Sequence, residues 1–404
     1  MFENKKLREI KYIDLFAGAG GLSLGLHNAG LKGLFAVEKN QDAFATLKYN
    51  LIDRKNHFDW PKWLPQTSHD ICELINKYKK ELKQLKGDVD LIVGGPPCQG
   101  FSLAGLRDHN DIRNTMVNYY LKVIEIIKPR MVLFENVHGF TLEFKSENTG
   151  KPYSEIVIEK LKKLGYNVKT KEVLLSDYGI PQNRVRFFLI GCMDKNVDKF
   201  FDKIEENKKE FLKNKNLECD VTIKDAIGDL LKSYGTYKCP DINRHFLSGQ
   251  YGECESKYQR FMRKNNAHDR PDSHRFANHT NDIIKLQTAI INNVPAGKRI
   301  TPKNDMVTGL KKRGVTLLDA DGKSPTVTSH PDDFIHYSEP RILSVREMSR
   351  LQSFPDDYEF KGKYTTGGKL RKTDVPRYTQ VGNAVPPLFA EQIGNTLRRF
   401  IDEI

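Results

Sequence analysis

The sequence predicts an α/β fold built on a mostly parallel sheet, joined to a second, smaller and loop-rich module, and three observations predict it. Short β-rich runs alternate with longer helical patterns from Lys11 to about Gly191. A glycine-rich turn stands between the first run and the first helical pattern, where doubly wound sheets bring the backbone close to a ligand. Beyond Cys192 the alternation stops, and residues 217–343 are rich in His, Arg, Asn, Gly and Pro, with few long apolar runs.

A chain of 404 residues exceeds one typical core, so two domains are expected. The predicted strands are Tyr12–Phe16, Leu34–Glu38, Val89–Gly94, Met131–Glu135 and Val185–Gly191, with helical patterns at Met116–Ile127 and Tyr153–Leu164 between them. A lysine-rich helical stretch, Asp194–Asn216, leads out of this region. Order returns at Ser344, which stands three residues before Glu347 as in a capping box, and the final pattern, Pro386–Ile401, offers Leu388, Ile393 and Leu397 for packing back on the first domain. The expected first domain is residues 1–191, completed by 376–404, and the second is 192–375 with a connecting helix.

Sixty-five Lys and Arg against 52 Asp and Glu give a net charge of +13, which favours a polyanionic partner without proving one. The cysteines Cys72, Cys98, Cys192, Cys219, Cys239 and Cys254 are scattered rather than dense, which fits a reducing cytoplasm. Met1–Ile10 is charged, and no run approaches the ~20 apolar residues of a membrane helix. No C-x-x-C or H-x-x-x-H spacing unites the cysteines and histidines of the second module, so no metal is expected.

The glycine turn reads Asp14-Leu15-Phe16-Ala17-Gly18-Ala19-Gly20-Gly21-Leu22-Ser23. Ser23 replaces the third glycine of a dinucleotide fingerprint, and Glu38 ends the next strand, where a carboxylate can accept from both ribose hydroxyls of an adenosyl group. Asp70 and Ile71 add an acceptor for an adenine amine and an apolar wall. Taken singly, each of these features is also ordinary structure.

More specific is Gly94-Gly95-Pro96-Pro97-Cys98-Gln99-Gly100-Phe101-Ser102, which places Cys98 at the carboxyl end of a predicted strand. Two prolines stiffen the approach, and a thiolate there is a strong soft nucleophile. Glu135-Asn136-Val137 ends the following strand at the same sheet edge, where a glutamate can hold a proton for a pyrimidine ring nitrogen. Gln182-Asn183-Arg184-Val185-Arg186 sets Arg184 and Arg186 two apart, on one face of a strand, suited to holding a carboxylate and an oxygen acceptor. Gln380-Val381-Gly382-Asn383 opens the last helix with residues suited to a polar contact.

Together and in this order, these segments resemble the C5-cytosine DNA methyltransferase family of the bacterial restriction-modification type. The likeness covers residues 11–191 and 341–400, and the combination of Pro96-Pro97-Cys98-Gln99, Glu135-Asn136-Val137 and Gln182-x-Arg184-x-Arg186 carries it. It implies a catalytic domain of the S-adenosylmethionine-dependent, Rossmann-like methyltransferase type, and a smaller target-recognition domain. It implies that Phe16, Gly18, Gly20, Glu38, Asp70, Ile71, Pro96 and Asn383 face S-adenosylmethionine. Cys98 is then the nucleophile toward cytosine C6, Glu135 engages the cytosine edge, and Arg184 and Arg186 hold that carboxylate and the pyrimidine oxygen.

The implied substrate is a cytosine flipped from duplex DNA, with the loop Gln99–Asn110 closing over it and Arg299, Lys311, Lys312 and Arg313 as phosphate contacts. Arg113-Asn114-Thr115-Met116 departs from the small-residue pattern expected there, whereas Ser324-Pro325-Thr326-Val327-Thr328 is similar to a recurring segment of the recognition domain. A cytoplasmic monomer is expected, with a cognate restriction endonuclease acting on the same site. An RNA cytosine methyltransferase and a catalytically inactive DNA-binding protein are the competing readings.

Overall fold

The computed structural model describes residues 8–97, 114–142, 151–241, 245–266, 268–303, 309–310, 314–366, 370 and 373–402. It divides into two compact units, one of Met1–Leu174, Val185–Lys208 and Phe389–Ile404, the other of Leu175–Arg184 and Lys209–Leu388.

The first unit is organised by a six-stranded sheet whose strands are β1 (Lys11–Leu15), β2 (Lys32–Val37), β3 (Leu91–Gly94), β4 (Met131–Val137), β5 (Asn167–Leu174) and, after a short β6 (Gln182–Asn183) that belongs to the second unit, β7 (Val185–Cys192). Strand order is β2-β1-β3-β4-β7-β5, and the first four strands pair in parallel. β7 runs antiparallel to both β4 and β5, so the mostly parallel sheet expected from the sequence contains one reversed strand. β3, Leu-Ile-Val-Gly, is buried at every position, the pattern of a strand covered on both faces.

Register sets the working edge. Leu15 pairs with both Val37 and Gly94, and Gly94 pairs with Phe134, so the carboxyl ends of β1, β2 and β3 finish level while β4 runs on through Glu135, Asn136 and Val137. The segments that leave these strands therefore emerge along one edge, where open α/β sheets bind their ligands. Ile13, Leu15, Phe35, Val37, Ile92, Val132 and Phe134 form the core beneath that edge with Val117, Tyr120, Val123, Ile124 and Ile127 of the helix Asn114–Ile127. The Tyr120 hydroxyl donates to the Leu133 carbonyl at 2.9 Å, which satisfies a buried polar group inside this core.

The C-terminal helix, Pro387–Asp402, returns to the first unit from Phe389 onward. Ile393 and Leu397 are buried as their spacing predicts, Phe389 meets Phe188 at 5.2 Å, and Arg398 donates to the Ala29 carbonyl at 2.9 Å. Leu388, grouped with these residues in the sequence pattern, belongs to the second unit, where its backbone N–H donates to the Ser353 hydroxyl.

The second unit has little sheet: a hairpin of β8 (Thr236–Lys238) and β9 (Leu247–Gly249), a three-stranded sheet of β10 (Arg299–Ile300), β11 (Val315–Leu317) and β13 (Phe334–Ile335), and β12 (Ser324–Pro325) beside β6. Its interior is unusually ionic. Arg350 pairs with Asp229 and Asp356, and Arg341 grips both oxygens of Glu347 at 2.8 and 2.7 Å. The expected capping box forms at Ser344, whose hydroxyl accepts from the Glu347 N–H while the Glu347 carboxylate accepts from the Ser344 N–H. Among the described residues no helix is long and apolar enough to cross a membrane.

Candidate active site

The turn after β1 is tightly wound. Phe16 has φ of 61°, a left-handed conformation that costs a bulky residue energy, and Gly18 follows at 56°. A side chain on Gly18 would meet nothing within 4 Å, so the backbone here borders open space. Gly20, the N-cap of the helix Gly21–Asn28, has φ of 84°.

Glu38 closes the turn. One carboxylate oxygen accepts from the Gly18 N–H at 2.9 Å and the other from the Asn40 N–H at 2.7 Å. Burial raises its pKa, an effect opposed by those backbone N–H groups. Beneath the turn, Asp14 is fully buried and accepts from the Ser23 hydroxyl at 2.6 Å. Its burial, countered by Ser23 and reinforced by the charge of Glu38, lifts its pKa to about 7. The Glu38 carbonyl also accepts from the His69 N–H, which brings Asp70 and Ile71 to the same edge. Asp70 caps the helix Ile71–Lys77 by accepting from the Cys72 N–H at 2.8 Å and pairs with Lys39 at 2.8 Å. Burial would raise the Asp70 pKa, but Lys39 and the Cys72 N–H outweigh it and the net shift is downward. Ile71 is buried.

The next segment is Gly95-Pro96-Pro97. A Cβ on Gly95 would fall 2.8 Å from a carboxylate oxygen of Glu135, so only glycine leaves that oxygen its place. Pro96 is buried, and its carbonyl accepts from the Asn136 side-chain amide at 3.2 Å. Across the antiparallel ladder Arg186 faces Val137, one diagonal step from Glu135, and its Nε lies 3.2 Å from the Glu135 carboxylate. Both side chains are mostly buried. Cys98, the loop Gln99–Asn110, Arg113, and Lys311, Lys312 and Arg313 lie outside the described residues.

Arg184 departs from the sequence reading. It was expected to share a strand face with Arg186, but β7 begins at Val185, and Arg184 lies within the second unit. It is buried, and its guanidinium donates to the carbonyls of Val327 and Gly382, both at 2.9 Å. Two-residue spacing puts side chains on one face only while the strand is continuous, and the chain leaves the ladder between β6 and β7. Gln182, not singled out among the site residues, supports the same joint: its side chain accepts from the Val327 N–H at 2.7 Å and donates to Gln352 at 2.7 Å. Gly382 and Asn383 end a helix, Arg377–Asn383, rather than opening one, and Asn383 is exposed. Asn136 was missed as the tether of Pro96; a buried amide beside Glu135, after four apolar strand residues, is the signal that marks it.

Comparison with known proteins supplies the context for this edge. A family model described as C-5 cytosine-specific DNA methylase matches residues 10–399. The chain is 31% identical to the Type II methyltransferase M.DdeI of Desulfomicrobium norvegicum, over 97% of this chain and 89% of that protein. It is 32% identical to the Type II methyltransferase M.PspPI of a Psychrobacter species, over 98% of this chain and 80% of that protein. In fold it resembles a protein described as a DNA modification methyltransferase encoded within an Escherichia coli prophage, at a TM-score of 0.65 and 24% identity, covering 97% and 99% of the two chains. A Dnmt2 methyltransferase of S. pombe is similar at a TM-score of 0.53 and 15% identity, covering 98% and 99% of the two chains.

Proposed function

Because this chain belongs to the C-5 cytosine-specific DNA methylase family, we propose that it transfers a methyl group from S-adenosylmethionine to C5 of a flipped cytosine in a specific duplex DNA sequence. The observation that carries the reading is the Glu135–Arg186 pair, held at the carboxyl edge of the sheet beside the Gly95-Pro96-Pro97 approach to Cys98.

The turn at Phe16, Gly18 and Gly20 fits the methyl donor, with open space over Gly18 and a Glu38 carboxylate fixed for a ribose. Asp70, Ile71, Pro96 and Asn383 complete that set. When bound, S-adenosylmethionine supplies an electrophilic methyl on a sulfonium.

The residues of the chain then make C5 electron-rich. The Cys98 thiolate bonds to C6, the C5–C6 π pair moves into a C4–C5 double bond, the C4–N3 π pair moves onto N3, and N3 takes a proton from Glu135. Arg186 fixes the Glu135 carboxyl and directs it at the base edge. Arg184 acts at one remove, by holding the Gly382 carbonyl and so the backbone that leads to Asn383. After C5 gains its methyl, loss of the C5 proton restores the ring and expels Cys98. A thiolate cannot reach C6 within a stacked duplex, hence the flipped base.

Residues 1–191 with 376–404 carry the chemistry in this reading, and residues 192–375 recognise the target. Likeness to Type II methyltransferases supports a modification role in a restriction-modification system, and the proposal adds a monomer that works beside an endonuclease of the same specificity.

The test uses wild type and Cys98→Ser with labelled S-adenosylmethionine on duplex DNA and transfer RNA in parallel. Wild type is expected to label DNA at C5 of cytosine and to form a covalent adduct with 5-fluorocytosine DNA, while Cys98→Ser does neither and still binds DNA. Full methylation by Cys98→Ser, or labelling of transfer RNA alone, refutes the assignment.

A further inference from the structure

We propose that Arg275, clasped by two aromatic rings in the second unit and with no anionic partner among the described residues, is a contact for a phosphodiester of the DNA backbone, with Arg270, over the same ribbon, as a second contact. The inference rests on the reading of DNA as substrate and adds to it a particular anion subsite.

Arg184, also buried in this unit, donates to backbone carbonyls, and four other buried arginines are matched by carboxylates. Arg346 pairs with Asp272, Arg350 with Asp229 and Asp356, Arg341 with Glu347, and Arg377 with Asp241. Arg275 is also buried, at 8% exposure, yet no carboxylate lies within ion-pair distance among the described residues. Its guanidinium carbon sits 4.2 Å from the Phe246 ring centre and 4.1 Å from that of Tyr364. Among the described residues its Nε is sealed from solvent without a hydrogen-bond partner, and its two terminal nitrogens, which have no partner there either, keep contact with water. Burying a charge without a partner is costly, and stacking on the rings recovers only part of that cost. What stacking does provide is orientation: the plane is fixed and the free N–H edge points outward, the geometry that matches phosphate oxygens.

The ribbon around it extends the site. Ser248 of β9 pairs with Tyr237 of β8 on one side and bridges to Arg275 on the other, where Gly249 N–H donates to the His274 carbonyl and Phe276 N–H to the Leu247 carbonyl. Tyr237, Ser248 and Arg275 are therefore directly opposed across three chain segments, with side chains on one face. Arg270 lies over the Tyr237 ring at 4.4 Å, exposed and also without an acidic partner among the described residues. Two stacked, unneutralised arginines on one short ribbon, in a chain of net charge +13, form a phosphate-facing surface.

The experiment measures affinity of the full chain for a labelled random-sequence duplex across a salt series, with a thermal melt for each variant. Arg275→Met is expected to reduce the slope of log affinity against log salt by about 0.9, and to weaken binding about fivefold to tenfold at 0.1 M salt, with the melting temperature unchanged or higher. Arg270→Gln should remove a similar increment, and the double variant about two. Arg275→Lys, which keeps the charge but loses the planar fork, should recover part of the slope. An unchanged slope in Arg275→Met overturns the proposal, as does a melting temperature lowered in both Arg275 variants together with an unchanged slope. Failure of the wild type to methylate duplex DNA at all overturns the reading of the substrate and this proposal with it; methylation by wild type with an unaltered Arg275→Met slope overturns this proposal alone.

Discussion

Gly95 and Glu135 are complementary shapes: the position a Cβ would occupy on Gly95 lies 2.8 Å from a Glu135 carboxylate oxygen and 3.5 Å from the Glu135 carbonyl. Gly95→Ala should therefore push the carboxyl off its seat while leaving the core of β3 and β4 intact. Methyl transfer is expected to fall by about 10²-fold, the usual cost of misplacing a catalytic group by about an ångström. Comparison of kcat with the melting temperature checks this; a variant with wild-type kcat would show that the seat is not used.

Arg350 holds two buried carboxylates at once. Burial raises the pKa of Asp356, but the Arg350 charge overrides it and holds that carboxyl below its usual range. Arg350→Ala removes the cation that Asp229 and Asp356 share, leaving Asp229 only Arg263 at 3.4 Å and Asp356 only Arg346 at 3.7 Å, and is expected to cost ~3–5 kcal/mol of unfolding free energy. Urea titration of the full chain provides the measurement, and a loss under ~1 kcal/mol would refute the role assigned to the cluster.

Three buried histidines set an acid limit. Burial depresses His57 to about 3, His274 to about 4 and His336 to about 3, all from an ordinary value near 6.5. Since the folded values are depressed, the unfolded chain takes up protons first as pH falls below about 6.5. Stability is therefore full above that pH and declines toward pH 4, by up to ~1.4 kcal/mol per pH unit for each histidine. Thermal melts between pH 7.5 and 5 should show the decline, and His57→Gln should make it shallower.

Asp14 acts in the opposite direction. Its folded pKa, raised to about 7 by burial against an ordinary 3.8, means that its contribution is fully present below pH 3.8 and is lost as pH rises to 7. Asp14→Asn removes that loss, so the variant should gain ~2 kcal/mol on wild type between pH 5 and pH 8. Equal pH dependence of the two melting curves would show that Asp14 is already ionised at pH 5.

Much of the first unit was readable because its signals are local. The predicted strand at Val89–Gly94 is realised as Leu91–Gly94, and the carboxylates expected at the ends of the second and fourth strands, Glu38 and Glu135, stand at the working edge. The partner of Glu135 could be read from residue spacing in Arg186 but not in Arg184, because a break between two strands leaves no mark on a two-residue period. β5 was missed as well: Asn167–Leu174 is mainly lysine, threonine and glutamate, with Val168, Val173 and Leu174 keeping no two-residue period. In the second unit, arginines and aspartates form much of the core, and the sequence reading did not find them, since ion pairing depends on neighbours such as Arg350 and Asp229, 121 residues apart, that no local pattern connects.

The Arg184 guanidinium donates to a carbonyl 198 residues further along the chain, at Gly382. During synthesis that arginine leaves the ribosome long before its acceptor exists, so its pocket stays open until Gly382 has been made. Closure of so long a loop is an intrinsically slow folding event and depends on the intact C-terminal segment. A nascent chain arrested before Gly382 thus carries an unfinished interior, and such truncated products are natural targets for proteolysis.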